Sequence, residues 1–107
     1  MSFYIKQNDT VPSLRADLRD GDNAAIDLTG ASVKFIMRAI GGNTAVINAS
    51  ASIVSEAGGT VQYNWQVGDT ATIGSYQAEF EVTYSGGTVE TFPNDGYIRI
   101  EILDDLG

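Results

Sequence analysis

The feature that most constrains the fold is a stretch of strict alternation between apolar and polar side chains in the second half of the chain. Its apolar members are Tyr76, Ala78, Phe80, Val82 and Tyr84, and its polar members are Gln77, Glu79, Glu81 and Thr83. A period of two places the apolar residues on one face of a β-strand and the polar residues on the other. The stretch therefore predicts a strand with one face on a core and one face in solvent.

The same alternation recurs along most of the chain. The clear examples are Leu14–Leu18, Val33–Met37, Val61–Trp65 and Ile98–Ile102. Weaker strand candidates are Val46–Asn48, Ser52–Val54 and Val89–Phe92. No stretch of about ten residues keeps a helical period. The chain is therefore predicted to be all-β, with antiparallel strands that each bury one face.

Turn residues separate these segments at regular intervals. Ser85-Gly86-Gly87, for example, reads as a hairpin turn before Val89. Such spacing is typical of a β-sandwich or barrel. Asp69 and Gly74 precede Tyr76 in the pattern of the corner that opens strand F of an immunoglobulin-like sandwich, where a tyrosine returns its hydroxyl to upstream backbone. We therefore expect an immunoglobulin-like antiparallel β-sandwich of about seven to nine strands, with Asp69, Gly74 and Tyr76 at a structural corner.

A chain of 107 residues suits one domain, and no linker or repeat divides it. We expect a single domain over residues 1–107, with residues 104–107 as a loose C-terminal tail. Trp65 is in phase with core positions, and its buried indole N–H would need one acceptor. The expected core comprises Leu18, Val33, Phe35, Val61, Trp65, Tyr76, Phe80, Val82, Ile98 and Ile100.

The composition argues against several classes of function. The chain has no His and no Cys, which removes the usual general base and the usual zinc ligands. Its acidic residues fall on outward strand positions or in turns, so we expect no enzyme and no cofactor. A net charge of −8 disfavours binding to nucleic acid and to anionic membranes. The N-terminus shows no secretion signal, which predicts synthesis and folding in the cytosol.

One alternative function stays open at the level of sequence. The segment from Asp20 to Asp27 brings carboxylates together and resembles half of a calcium loop, but it lacks the spaced ligands and the terminal bidentate Glu, so a polar hairpin turn is the favoured interpretation. Tyr4, Tyr84 and Tyr97 could provide aromatic surface for a sugar. A calcium-dependent or carbohydrate-binding β-sandwich module is therefore the alternative hypothesis.

The order of several short motifs resembles a known family. These motifs are Ile5–Pro12, Leu18–Asp22, Ile26–Phe35 with its Asp-Leu-Thr-Gly-Ala-Ser-Val-Lys-Phe, Gly59–Trp65, Asp69-Thr70, Gly74–Phe80 and Thr91–Pro93. Together they resemble the N-terminal immunoglobulin-like domain of bacteriophage baseplate upper proteins, over about residues 3–103. The resemblance implies a structural protein of the phage tail or baseplate, or a module that attaches tail fibres.

The resemblance also implies partners and a location. Such domains assemble with other virion proteins, usually as multimers, so a homo-oligomer in the particle is expected. The protein would assemble in the cytoplasm of the host bacterium and reside in the virion. Family members usually continue into helical or adhesive segments that contact the receptor, so attachment rather than host binding is expected of these residues.

The N-terminal segment is the candidate assembly edge. Phe3, Tyr4, Ile5, Lys6 and Gln7 have a mixed apolar pattern without proline. Such a strand could pair with a neighbouring subunit by strand addition. The alternative is that it caps the sheet of its own domain.

Overall fold

The computed structural model describes residues 2–106, which form eight β-strands. The strands are β1 (Ser2–Lys6), β2 (Leu14–Asp17), β3 (Ser32–Ala39), β4 (Ala45–Ser55), β5 (Thr60–Tyr63), β6 (Gly74–Thr83), β7 (Val89–Phe92) and β8 (Ile98–Leu103). The all-β prediction is confirmed. The two weak candidates Val46–Asn48 and Ser52–Val54 are parts of one strand, β4, because the small residues between them continue the alternation with half-buried Ala49 and Ala51.

The strands form two packed layers that share β4. In the larger layer the strands follow the order β1-β8-β6-β3-β4, and β7 pairs with β6 beside β8. In the smaller layer β5 lies between β4 and β2. Ala45–Ala51 of β4 pairs with β3, whereas Ser52–Ser55 pairs with β5, so the strand passes from one layer to the other. The result is a sandwich that approaches a barrel.

One pairing departs from the predicted antiparallel arrangement. β1 runs parallel to β8, from Ser2 beside Arg99 to Lys6 beside Leu103. Parallel neighbours cannot be joined by a tight turn. β1 and β8 need no such turn, because they are the first and last strands and the other six strands lie between them in the sequence.

The core lies between the two layers. All ten residues predicted for it are buried. Phe35 is at the centre, with its ring centroid 4.4 Å from that of Tyr63, 5.3 Å from Phe80 and 5.6 Å from Trp65. The Trp65 indole N–H has no hydrogen-bond partner among the described residues, contrary to the expectation from sequence.

Residues 104–106 follow β8 without regular secondary structure, and Met1 and Gly107 of the predicted domain lie outside the described residues. Between residues 2 and 106, no helix is long and apolar enough to cross a membrane.

Candidate assembly surface

The corner predicted around Tyr76 contains a hydroxyl-to-backbone hydrogen bond. Gly74 begins β6, and the Tyr76 side chain turns back so that its Oη donates to the carbonyl oxygen of Thr72, at 2.7 Å. The ring is buried, and this burial raises the pKa of the Tyr76 hydroxyl. The bond holds the loop before β6 against the first residues of the strand.

Asp69, which was predicted at the same structural corner, accepts two hydrogen bonds. Its Oδ2 accepts hydrogen bonds from Tyr63 Oη, at 2.5 Å, and from the backbone N–H of Gln66, at 2.8 Å. Burial of Tyr63 and this bond to a carboxylate both raise the pKa of the Tyr63 hydroxyl. Asp69 therefore ties β5 to the loop that follows it, rather than bonding directly to Tyr76.

Thr70 is a structural residue that the sequence analysis did not single out. It is the one buried polar side chain among residues 2–106, and its Oγ1 donates to the carbonyl oxygen of Asp9, at 2.7 Å. The backbone N–H of Asn8 in turn donates to the Thr70 carbonyl, at 3.0 Å. No sequence periodicity marks a polar loop residue of this kind, because its burial depends on the segment that follows β1.

The predicted assembly edge, Phe3 to Gln7, forms most of β1 and is held firmly by its own domain. Ile5 is buried, and the Phe3 ring stacks on Trp65 at 5.9 Å. Gln7 donates its backbone N–H to the Leu103 carbonyl and its side-chain amide to Ala71. Lys6 Nζ contacts the Asp104 carbonyl, at 3.3 Å.

The opposite edge of β1 is open. β1 is the terminal strand of the larger layer, and β8 is the only strand paired with it in the described part of the chain. Backbone groups alternate in direction along a strand, and Gln7 points its N–H toward β8. The N–H and C=O of Tyr4 therefore point away from β8, and the Tyr4 side chain is 62% exposed.

Polar side chains cover the outer face of the larger layer. Arg99 Nε donates to Glu101 Oε2, and Ser75 Oγ donates to Glu101 Oε1, both at 2.7 Å. The bonds from Ser75 and Arg99 lower the pKa of Glu101. With the Gln77 amide oriented to accept, Arg38 donates two hydrogen bonds to its oxygen, at 2.7 and 3.0 Å.

Two concavities flank Tyr97, one of the predicted exposed aromatic residues. One, of about 360 Å³, lies on the outer face between Ile36, Arg38, Gln77 and Glu79. The other, of about 350 Å³, opens between the two layers, where Leu18, Phe80 and Ile98 contribute apolar surface. Tyr84, in contrast, donates its hydroxyl to Glu90, at 2.8 Å, and burial together with this bond raises its pKa to about 12.

The Asp20–Asp27 segment uses its carboxylates to form turns. Asp20 Oδ1 accepts the backbone N–H groups of Asp22 and Ala24, and Asp27 Oδ1 accepts from Thr29. Residues 2–106 contain no group of three or more acidic, His or Cys side chains placed to hold a metal ion. The geometry of this segment therefore does not support the alternative hypothesis of a calcium-dependent module.

Comparison with protein-family models gives a match over most of the chain. A protein-family model described as the BppU N-terminal domain matches residues 3–92. A search of curated proteins finds no match. The matched range begins within β1, ends with the last residue of β7 and does not reach β8.

Proposed function

Because the chain belongs to the family of BppU (baseplate upper protein) N-terminal domains, we propose that it is a structural component of a bacteriophage tail or baseplate that acts by binding other virion proteins. The family implies a structural role in the virion, and the proposal includes no enzymatic step and no cofactor. The domain covers residues 1–107, and several copies assemble in each particle. Because copies in a particle are related by symmetry, the same small contact between proteins forms many times.

The open edge of β1 is the observation that supports an assembly role. Ile5 and Phe3 hold the strand on the core, so its position does not depend on a partner. Within residues 2–106, no strand lies beside its outward backbone groups at Tyr4. An unpaired strand edge accepts an extended segment from another chain, whose backbone completes the hydrogen bonds.

Quantitative mass spectrometry of purified phage particles tests the location. We expect the protein at a copy number comparable to that of other tail proteins, and the copy number would indicate the symmetry of its site. Its absence from particles that contain their known tail proteins would refute the virion assignment.

A proline substitution tests the edge itself. In Tyr4→Pro the outward N–H is lost, while the hydrogen bonds between β1 and β8 are kept. We expect incorporation into particles to fall about tenfold, the equivalent of roughly 1.4 kcal/mol for one or two hydrogen bonds.

The matched control is Tyr4→Thr, which removes the ring but keeps the backbone donor. Melting of each purified variant establishes that the domain still folds. Normal incorporation of a folded Tyr4→Pro protein would rule out strand addition at this edge and would leave the virion location intact.

A further inference from the structure

Charge is distributed unevenly over the surface of this acidic protein. The outer face of the larger layer carries Lys6, Lys34, Arg38 and Arg99, which are four of the six basic residues in the chain. The same face carries only three of the 14 acidic residues, Glu79, Glu81 and Glu101. The outer face is therefore close to neutral, and nearly all of the negative charge lies elsewhere.

This face carries residues of types that protein interfaces favour. Tyr4 on the edge strand β1 and Tyr97 just before β8 are 62% and 44% exposed; Arg99 lies on β8 beside β1, and Arg38 lies on β3 and lines a groove with Tyr97. Tyrosine and arginine are enriched at the positions that contribute most to binding, whereas Lys, Glu and Asp are depleted. Between Tyr97 and Arg38, the groove of about 360 Å³ gives the face a concave centre.

Hydrogen bonds within the domain fix the side chains of Arg38 and Arg99 without a partner. The Gln77 amide accepts from Arg38, and Glu101, itself fixed by Ser75, accepts from Arg99. Each guanidinium keeps further N–H groups available for a carboxylate, because it has five donors. Ordering these long side chains in advance reduces the entropy lost on binding.

A complementary surface exists on the same chain. The loop between β2 and β3 carries Asp20, Asp22 and Asp27 beside one basic residue, Arg19, and the turn after β4 carries Glu56. The two segments meet where the backbone N–H of Leu28 donates to the Glu56 carbonyl, at 2.9 Å. All four acidic side chains are exposed. We call this surface the acidic end.

We propose that the outer face, through Arg38 and Arg99, binds the acidic end of a second copy of this chain. The inference rests on the proposed function, because a virion holds many copies side by side. The two surfaces differ, so the contact is heterologous: each copy offers its acidic end to one neighbour and its outer face to another. Such contacts close into a ring or continue as a filament.

The charge distribution favours this arrangement over a symmetric one. Two outer faces in contact would bring arginines against arginines, and two acidic ends would bring carboxylates together. Like charges placed opposite each other cost several kcal/mol at an interface. Pairing the outer face with the acidic end instead places arginines opposite carboxylates, which offsets part of the repulsion between two chains of net charge −8.

Zero-length cross-linking of a mixture of ¹⁴N- and ¹⁵N-labelled protein tests the contact directly. A carbodiimide joins lysines to carboxylates, and mixed isotopes identify links between copies. We expect links from Lys34 or Lys6 of one copy to Asp20, Asp22, Asp27 or Glu56 of another. Raising the salt concentration from about 0.05 M to 0.5 M should reduce the number of links, because the shorter Debye length screens the attraction between exposed charges on the two copies.

The decisive variant is Arg38→Glu, and its control is Arg15→Glu. Both change the net charge equally, but Arg15 lies on β2, outside the outer face and outside the acidic end. We expect the first variant to lose about tenfold of the links between copies and the control to lose none. An equal loss in both variants, or no links between copies in the unmodified protein, would overturn the proposal.

This test is independent of the virion assignment. If the protein is found in particles but gives no links between copies, the contact described here is wrong and the structural role stands. If links form in vitro but particles lack the protein, the virion assignment fails instead.

Discussion

The two faces of the larger layer carry different kinds of residue, although they alternate along the same strands. On β3, Val33, Phe35 and Met37 are buried, whereas Lys34 and Arg38 between and beside them are exposed. The inner face is apolar and contacts the smaller layer. The outer face holds an ion pair, amide contacts and exposed tyrosines.

Because of this difference, the inner face determines the stability of the fold and the outer face is available to bind partners. Burying apolar surface contributes roughly 25 cal/mol per Å², so the inner face contributes most of the folding free energy. Surface ion pairs contribute about 0–1 kcal/mol. The outer face can therefore change its residues, and with them its partners, at little cost to the fold.

The largest expected effect is on the inner face. Phe35→Ala should lower the free energy of unfolding by about 3–5 kcal/mol, because it removes a ring with no exposed surface and leaves a cavity. Urea denaturation of the purified protein measures this change. Lys34→Ala, the exposed neighbour, should change stability by no more than about 0.5 kcal/mol. Similar losses in the two variants would show that the faces do not differ as described.

A smaller effect is expected where an inner-face side chain reaches a polar partner. Tyr76→Phe keeps the buried ring and removes only the hydroxyl bond to the Thr72 carbonyl, so we expect a loss on the order of 1 kcal/mol. Thermal unfolding followed by circular dichroism would detect it. An unchanged melting temperature would argue against the corner as a stabilising element. Tyr97→Phe is a suitable control, since that tyrosine is half exposed.

Much of the inner face could be predicted from the sequence. Alternation is a local property, so it located the strands and all ten expected core residues. Pairing between distant strands is not local, and the parallel contact of β1 with β8 could not be read from either segment. The continuity of β4 was missed because alanine and serine give weak hydrophobic contrast.

Less of the candidate assembly surface could be predicted. The apolar pattern and the absence of proline identified residues 3–7 as a possible edge, but the open side of β1 follows from the strand order. Asp69 was grouped with Tyr76 because the two are near in sequence, yet its partner is Tyr63 on β5. The concentration of basic residues on one face depends on which strands are neighbours, which composition alone does not reveal.

The smallest expected effect is on the outer face and depends on pH. The bonds from Ser75 and Arg99 hold the pKa of Glu101 below its ordinary value of 4.5. A carboxyl with a lowered pKa in the folded state stabilises it above the unfolded pKa, and this contribution is lost as the pH falls through the folded pKa. Glu101→Gln should therefore melt slightly below the unmodified protein at pH 7, and the difference should shrink as the pH falls below the ordinary carboxyl value of 4.5. Melting temperatures across this range measure the trend, and a difference that stays constant with pH would show that the carboxylate charge at Glu101 does not stabilise the outer face.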